Sequence, residues 1–343
     1  MKYIIITICA LTSLVSCSKK EVKTPSKFTI AFGSCNNQDL ENTLWQEIAK
    51  HNPDVWIWGG DNVYADTKDM NEMEAKYQKQ KSHPQYAEFI KSRTVLGVWD
   101  DHDYGVNDGG EEFEKKVEAQ QLFLNFFDVP KNDERRNREG TYHNEVFNAG
   151  EYSINIILLD TRYFRTPLNR NTTPEDRSVF YKRYSPNKYG EGTLLGSQQW
   201  QWLENTLETN STDFTIIVSS IQVLSGEHGW ETWANMPHEI DKLEKLLIET
   251  QTKNTIILSG DRHISDFSKN EVEGLPYPVI DFTSSGLTHS ATMNKGEPNK
   301  YRIGNLVNQP SYGLITLNLD RKEAIMEMRG VKDSVQQNHV QKY

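Results

Sequence analysis

Four short apolar runs in this 343-residue chain each break off into residues that bind metal ions or move protons. Residues 28–32 lead into Gly33-Ser34-Cys35-Asn36, and residues 55–58 into Gly59-Gly60-Asp61-Asn62-Val63-Tyr64. Residues 95–99 lead into Asp100-Asp101-His102-Asp103-Tyr104-Gly105-Val106-Asn107-Asp108, and residues 255–258 into Ser259-Gly260-Asp261-Arg262-His263. Any one of Asp61, Asp101 or Asp261 alone reads equally well as a cap or Asx-turn, His102 as a satisfied loop histidine, and Cys35 as an inert buried thiol. Together they form a metal-ligand set: a thiol, several carboxylates, a phenol, an amide and two imidazoles. Carboxylates held close together cannot all stay ionised without cations, and bound metal resolves that conflict. Cys35 with Tyr64 suits a redox-accessible or ferric ion, and the remaining oxygens suit Ca²⁺, Mg²⁺ or Mn²⁺. Two ions side by side imply hydrolysis by an activated hydroxide, typically at phosphorus.

Such a set works only if the runs bring it to one place. Their near-continuous apolarity, shared by residues 154–159 and 214–218, predicts strands buried on both faces. Later strands are expected at 278–283, 312–319 and 324–328. Helical patterns lie between: Asp39 as cap for a face of Leu40, Leu44, Trp45 and Ile48; Trp200, Leu203 and Leu207 after Ser197; and Ile240, Leu243, Leu246 and Leu247 after Pro237. This alternation means a layered α/β domain, in which ligands bind outside the carboxyl ends of strands. Charged stretches at 70–91 and 111–137 are expected as outer helices and loops, and 165–193 as a long functional loop. No repeat or linker divides the chain, and residues 331–343 read as a solvated polar tail.

Phosphate oxygens not covered by metal need positive donors. Arg162 and Arg262 are the arginines best placed by strand-end logic. Arg162 is favoured, because alternation along an extended Asp261-Arg262-His263 segment would turn Arg262 away from its two neighbours.

Residues 1–16 have the plan of a secretory signal, with Lys2, an apolar run too short to anchor in a bilayer, and then small residues. Leu14-Val15-Ser16-Cys17 resembles the bacterial lipobox, so cleavage before Cys17 and acylation of its thiol are expected. Residues 17–27 would then be a lipidated tether to the membrane of the cell envelope. Cys9 leaves with the signal, and Cys35 remains the one free thiol of an exported domain, where unpaired thiols are unusual. The net charge of −10 and the absence of a basic track argue against a nucleic-acid partner. Mean hydropathy of −0.69 excludes a bundle of membrane spans.

From about residue 28 to residue 319 the sequence resembles the alkaline phosphatase D (PhoD-like) branch of the calcineurin-like metallophosphoesterases. The most specific pieces are Phe32-Gly33-Ser34-Cys35, Gly60-Asp61-Asn62-Val63-Tyr64, Trp99-Asp100-Asp101-His102-Asp103-Tyr104-Gly105 and Leu258-Ser259-Gly260-Asp261-Arg262-His263, supported by Leu159-Asp160-Thr161-Arg162 and Leu195-Gly196-Ser197-Gln198-Gln199-Trp200. The resemblance implies an α/β sandwich of two β-sheets flanked by helices over residues 28–330. It also implies Fe³⁺ held by Cys35 and Tyr64 with Ca²⁺ close by, Asp61 bridging, and Asp101, Asp261 and His263 completing the centre. Asn107 matches an asparagine that follows the family's Asp-Asp-His turn. His102 takes the place of the turn histidine that faces substrate and assists the leaving group in related phosphoesterases. Two departures stand out: Asp103 replaces the usual Glu of that turn, and the extra N-terminal β-domain of longer members has no room before residue 28.

The leading expectation is therefore an exported, membrane-anchored metallophosphatase acting on small phosphate esters. A phosphodiesterase of nucleotides, phospholipids or wall polymers is the alternative enzyme. A surface lipoprotein that binds a ligand around structural metals is the alternative from another class.

Overall fold

The computed structural model describes residues 26–172, 183–209, 211–294 and 296–343. The leader, Cys17 and most of the expected tether lie outside the described residues, as does the middle of the 165–193 loop. In chain order the strands are β1 Lys27–Gly33, β2 Val55–Gly59, β3 Thr94–Val98, β4 His143–Ala149, β5 Tyr152–Leu158, β6 Asn169–Arg170, β7 Tyr184–Ser185, β8 Phe214–Val218, β9 Thr255–Ser259, β10 Ser265–Asn270, β11 Val279–Ser284, β12 Arg302–Val307, β13 Ser311–Asn318, β14 Glu323–Gly330 and β15 Val335–Lys342. One mixed sheet has the order β15-β14-β13-β1-β2-β3, and a second runs β12-β10-β11-β9-β8-β5-β4. Strands β1, β2 and β3 are parallel neighbours, as are β5, β8, β9 and β11.

The strand pattern explains why both faces had to be apolar. Phe28, Ile30 and Phe32 of β1 and Val55 and Ile57 of β2 face Ile154, Ile156, Phe214, Ile216, Ile256 and Leu258 of the other sheet in one buried core. The alternate residues Ala31, Trp56 and Trp58 point outward into a second core, under helices Trp45–Lys50, Met70–Lys81, Pro84–Ile90 and Lys116–Phe126. Ile157, Ile217 and Ile257 do the same on the far side, under helices Gly196–Thr209 and Pro237–Glu249. The result is the expected α/β sandwich of helix, sheet, sheet and helix. Each fully buried Ile or Phe contributes about 1.5–3 kcal/mol relative to exposure.

The two sheets are stitched together at one end. The amide of Ser34, just past β1, donates to the carbonyl of Ser284 at the end of β11 (3.1 Å). The Ser34 carbonyl accepts from the amides of Gly286 (3.2 Å) and Leu287 (3.1 Å). The carboxyl ends of β1, β2, β3, β8 and β9 all open at this seam.

Two expectations fail. Asp39 caps no helix: the first helix begins at Trp45, Leu40 is exposed, and Asp39 instead pairs with Lys79 at 2.5 Å. Side-chain bonds from Asn37 to the Asp39 amide and from Asn42 to the Leu44 amide, both 2.9 Å, hold this stretch in turns that compete with helix. Residues 331–343 are not a solvated tail either, because β15 pairs antiparallel with β14 along its length. An edge strand shows solvent on much of its surface, so its composition stays polar. Strands β4 and β12, the edges of the second sheet, go unread in the sequence for the same reason; β10 lies between β12 and β11 but its Ser265-Asp266-Phe267-Ser268-Lys269-Asn270 carries no apolar run to mark it. Among the described residues no helix is long and apolar enough to cross a membrane.

The ring of Tyr343 packs 5.6 Å from both Phe214 of β8 and Tyr277, just before β11. Deleting residues 335–343 should therefore lower the thermal midpoint by on the order of 5 °C or more and promote association through the bared β14 edge. An unchanged melting curve would show that β15 contributes nothing to stability.

Candidate functional site

The loops that leave the seam are backbone-constrained. Cys35, Asp61, Asp261 and His263 all have left-handed φ, at 58°, 50°, 68° and 53°. Each such non-glycine residue costs about 1–3 kcal/mol, and such costs concentrate where side chains must be aimed. Two glycines let the loops close on one another. A Cβ on Gly60 would lie 2.6 Å from Cβ of Asp100, and one on Gly260 would lie 2.4 Å from Oγ of Ser34.

The side chains so aimed meet. Sγ of Cys35 lies 3.3 Å from Oδ2 of Asp61 and 3.0 Å from Oγ of Ser285. The Tyr64 hydroxyl is 3.4 Å from the same Asp61 oxygen and 3.0 Å from Nε2 of His263. Ligand atoms of Cys35, Asp61 and His263 all fall within 4.8 Å of one another; so do those of Asp61, Asp101 and His102, and those of Asp100, Asp101 and Asp261. Burial pushes the Cys35 thiol up to about 12. Burial, with repulsion from Cys35 and Asp101, holds Asp61 well above the ordinary carboxylate range, and burial with repulsion from Asp100 does the same to Asp261. Protein alone thus leaves this negative charge uncompensated. Oδ2 of Asp100 is buried with no hydrogen-bond partner among the described residues. An orphaned carboxylate oxygen beside Asp101 and Asp261, with the Cys35, Asp61 and His263 group adjoining through Asp61 and Asp101, fits metal binding in charge and in donor chemistry.

His102 is held differently. Its Nδ1 lies 2.7 and 2.9 Å from the two carboxylate oxygens of Asp66, and its ring stacks on Tyr64 with centroids 4.1 Å apart. Its carbonyl accepts from the amides of Ala65 (3.1 Å) and Asp66 (3.2 Å). Burial by itself would lower its pKa, but the charges of Asp61, Asp66 and Asp101 outweigh burial and raise it to about 11. Asp103, the departure from the Asp-Asp-His-Glu pattern, points inward. It accepts from the Asp100 amide (2.6 Å) and from Nδ2 of Asn62 (2.6 Å), tying its turn to the Asp61 loop rather than joining the site.

A cavity of about 250 Å³ opens over this cluster, lined among others by Asp101, His102, Asn107, Asp261, Arg262 and His263. The two expected phosphate arginines exchange places. Arg162 is wholly buried, does not line the cavity, and pairs with Asp100 and with Glu231 (2.6 Å). It is a charge-balancing residue beneath the carboxylates, not a substrate contact. Arg262 reaches the cavity because left-handed Asp261 and His263 break the extended alternation on which the preference for Arg162 rested. Sequence reasoning passed over Asp66, Asp108, Arg183 and Trp230. Asp66 follows Asp61 in one continuous turn and was the findable one; Arg183 sat unresolved inside a loop flagged only by length.

Comparisons with known proteins agree with this architecture. A family model described as PhoD-like phosphatase matches residues 30–330. Alkaline phosphatase D of Bacillus subtilis (strain 168) is 24% identical over 318 residues, covering 76% of this chain and 51% of that protein, so the chain spans about half the length of this curated relative. Among solved structures, that of PhoD superposes with a TM-score of 0.68 at 16% identity, over 92% of this chain and 68% of the other. A dimetal phosphatase from Danio rerio superposes at 0.53 and 12% identity, over 93% of this chain and 100% of its own. At such identities the structural likeness speaks for the fold.

Removing one partner of a buried ion pair strands the other, at about 3–5 kcal/mol. Arg162→Met should therefore lose stability of that order in urea unfolding, read from the midpoint. A fully stable variant with only a raised KM would return Arg162 to the role of substrate contact.

Proposed function

The chain belongs to the PhoD-like phosphatase family, and from that premise we propose that it is an exported, metal-dependent phosphatase of small phosphate esters. The observation that carries this reading is the convergence of Cys35, Asp61, Tyr64, Asp101, Asp261 and His263 beside one cavity that also contains His102. Cys35, Tyr64, Asp61 and His263 would hold a ferric ion, and the oxygens of Asp61, Asp101, Asp261 and Asn107 a calcium ion. Bound there, the ions supply Lewis-acid charge to phosphoryl oxygens and a water acidic enough to ionise near neutral pH.

The protein's own residues do the rest. With Nδ1 engaged by Asp66, Nε2 is the nitrogen of His102 left to meet a substrate atom, and stacking on Tyr64 fixes the plane of the ring. His102 then donates a proton to the leaving oxygen, and Asp66 keeps the ring charged and oriented. Arg262 offers guanidinium donors to the phosphoryl oxygens. A purely binding protein would have no use for a histidine tethered in this way. Export rests on the signal-like residues 1–16 and the lipobox ending at Cys17.

Hydrolysis of chromogenic phosphate esters should be abolished by chelator and restored by metal, and the chelator should also lower the melting temperature, since metal binds the folded state. His102→Ala should cost about 10² to 10⁴ in turnover on poor leaving groups with metal content kept. Chelator-resistant activity would refute the metal mechanism, and loss of metal from His102→Ala would make that residue a ligand. The iron assignment predicts a visible charge-transfer band, lost in Cys35→Ser. Cys17→Ser should keep the colour and move the protein from the membrane to the soluble fraction. A colourless, iron-free, fully active protein would remove iron from the site.

A further inference from the structure

We propose that Arg183 and Arg262, both braced against Trp230, form a two-guanidinium wall that makes this site selective for dianionic phosphate monoesters over diesters. The inference rests on the phosphatase reading and assigns its substrate class. Arg183, Trp230 and Arg262 line the same cavity as Asp101, Asp261 and His263. Both guanidinium carbons lie over the Trp230 ring, Arg262 at 5.0 Å and Arg183 at 5.5 Å from its centre, so one aromatic face-bearing residue positions two cations by cation–π attraction.

Each arginine is also fixed from behind. Nη2 of Arg262 donates to Glu297 (2.8 Å), which is buried and accepts from Nδ2 of Asn294 (3.1 Å). Nη2 of Arg183 pairs with Asp108 (2.8 Å), and its Nε donates to the Tyr184 hydroxyl (3.1 Å). Asp108 in turn donates its amide to Oδ2 of Asp101 (2.7 Å), so the loop that carries a metal-ligand carboxylate also carries the brace of Arg183. A guanidinium has five N–H donors, and these carboxylates do not exhaust them. Nε of Arg262 is buried without a hydrogen-bond partner among the described residues, so the guanidinium is not saturated by the protein.

A monoester brings two negative charges and three non-bridging oxygens. A diester brings one charge, two such oxygens and a second arm that must fit where the wall stands. Fixed, forked cations discriminate between them by the extra charge and the extra oxygen.

The test compares kcat/KM for p-nitrophenyl phosphate and bis(p-nitrophenyl) phosphate on the metal-loaded full chain, with calorimetric titration of inorganic phosphate alongside. The wild type should favour the monoester at least tenfold. Arg183→Gln and Arg262→Gln should each lower monoester kcat/KM about tenfold or more, mainly through KM, shrink the ratio, and weaken phosphate binding in parallel. Arg183→Lys and Arg262→Lys, which keep the charge, should recover part of the loss and serve as controls for folding. A diester preference in the wild type, or equal losses on both esters, would overturn the wall. Should neither ester turn over, the phosphatase reading falls, and the phosphate titration alone decides: affinity unchanged in both Gln variants overturns the proposal, while weakened affinity sustains it.

Discussion

Asp61, Asp100 and Asp101 are buried beside the partly buried Asp261 at the seam between two sheets, and that concentration of negative charge is the constraint that organises this protein. Burial raises the cost of each charge, and proximity raises it further. One cation offsets it from within: Arg162 binds Asp100 through Nε and Nη2, and Glu231 through Nη1. Asp101 shows the effect most plainly. Burial pushes its pKa up, yet Arg162 and His102 together bring it down to about 2, while Asp61 and Asp261 remain raised. The uneven balance leaves one side of the cluster satisfied by protein and the other side suited to metal.

The same charge cluster explains why polar bonds bind the two sheets as well as the apolar core. The carboxylate of Asp160, after β5, accepts from Nε1 of Trp99 (2.8 Å), from the amide of Arg162 (3.0 Å) and from the amide of Thr141 (2.8 Å). It thereby locks the β5 loop of one sheet to the β3 loop of the other and sets where Arg162 can reach. Asp103 performs the matching task between the β2 and β3 loops. Left-handed residues are held by bonds at the seam itself: the His263 amide donates to Oγ of Ser285 (2.7 Å) and the Asp61 carbonyl accepts from the Asn36 amide (2.9 Å), against a conformational preference that a free loop would follow.

Positioning is shared among loops, so the residues that line the cavity and those that hold them come from far apart in the chain. Asp66 orients His102 across 36 residues, Glu297 holds Arg262 across 35, and Asp108 pairs with Arg183 from another loop. None of these partnerships is local enough to leave a spacing pattern.

What the chain's order of residues determined by itself was the set of fully buried strands and the ligands that follow them. Near-continuous apolarity is a local signal of burial on both faces, and a ligand placed just past such a strand inherits its position from it. The convergence of Cys35, Asp61, Tyr64, Asp101, Asp261 and His263 was readable for that reason, as candidate ligands. Polar edge strands such as β15 left no such signal, because pairing through the backbone asks little of side chains. The choice between Arg162 and Arg262 was likewise beyond it. Alternation along an extended chain sends Arg262 away from its neighbours, but left-handed turns at Asp261 and His263 reverse its direction. Meanwhile Asp100 and Glu231, 131 residues apart, draw Arg162 into the interior. Only the folded arrangement of charges decides which guanidinium is consumed by the protein and which faces the cavity, because that is a balance among groups the sequence does not place side by side.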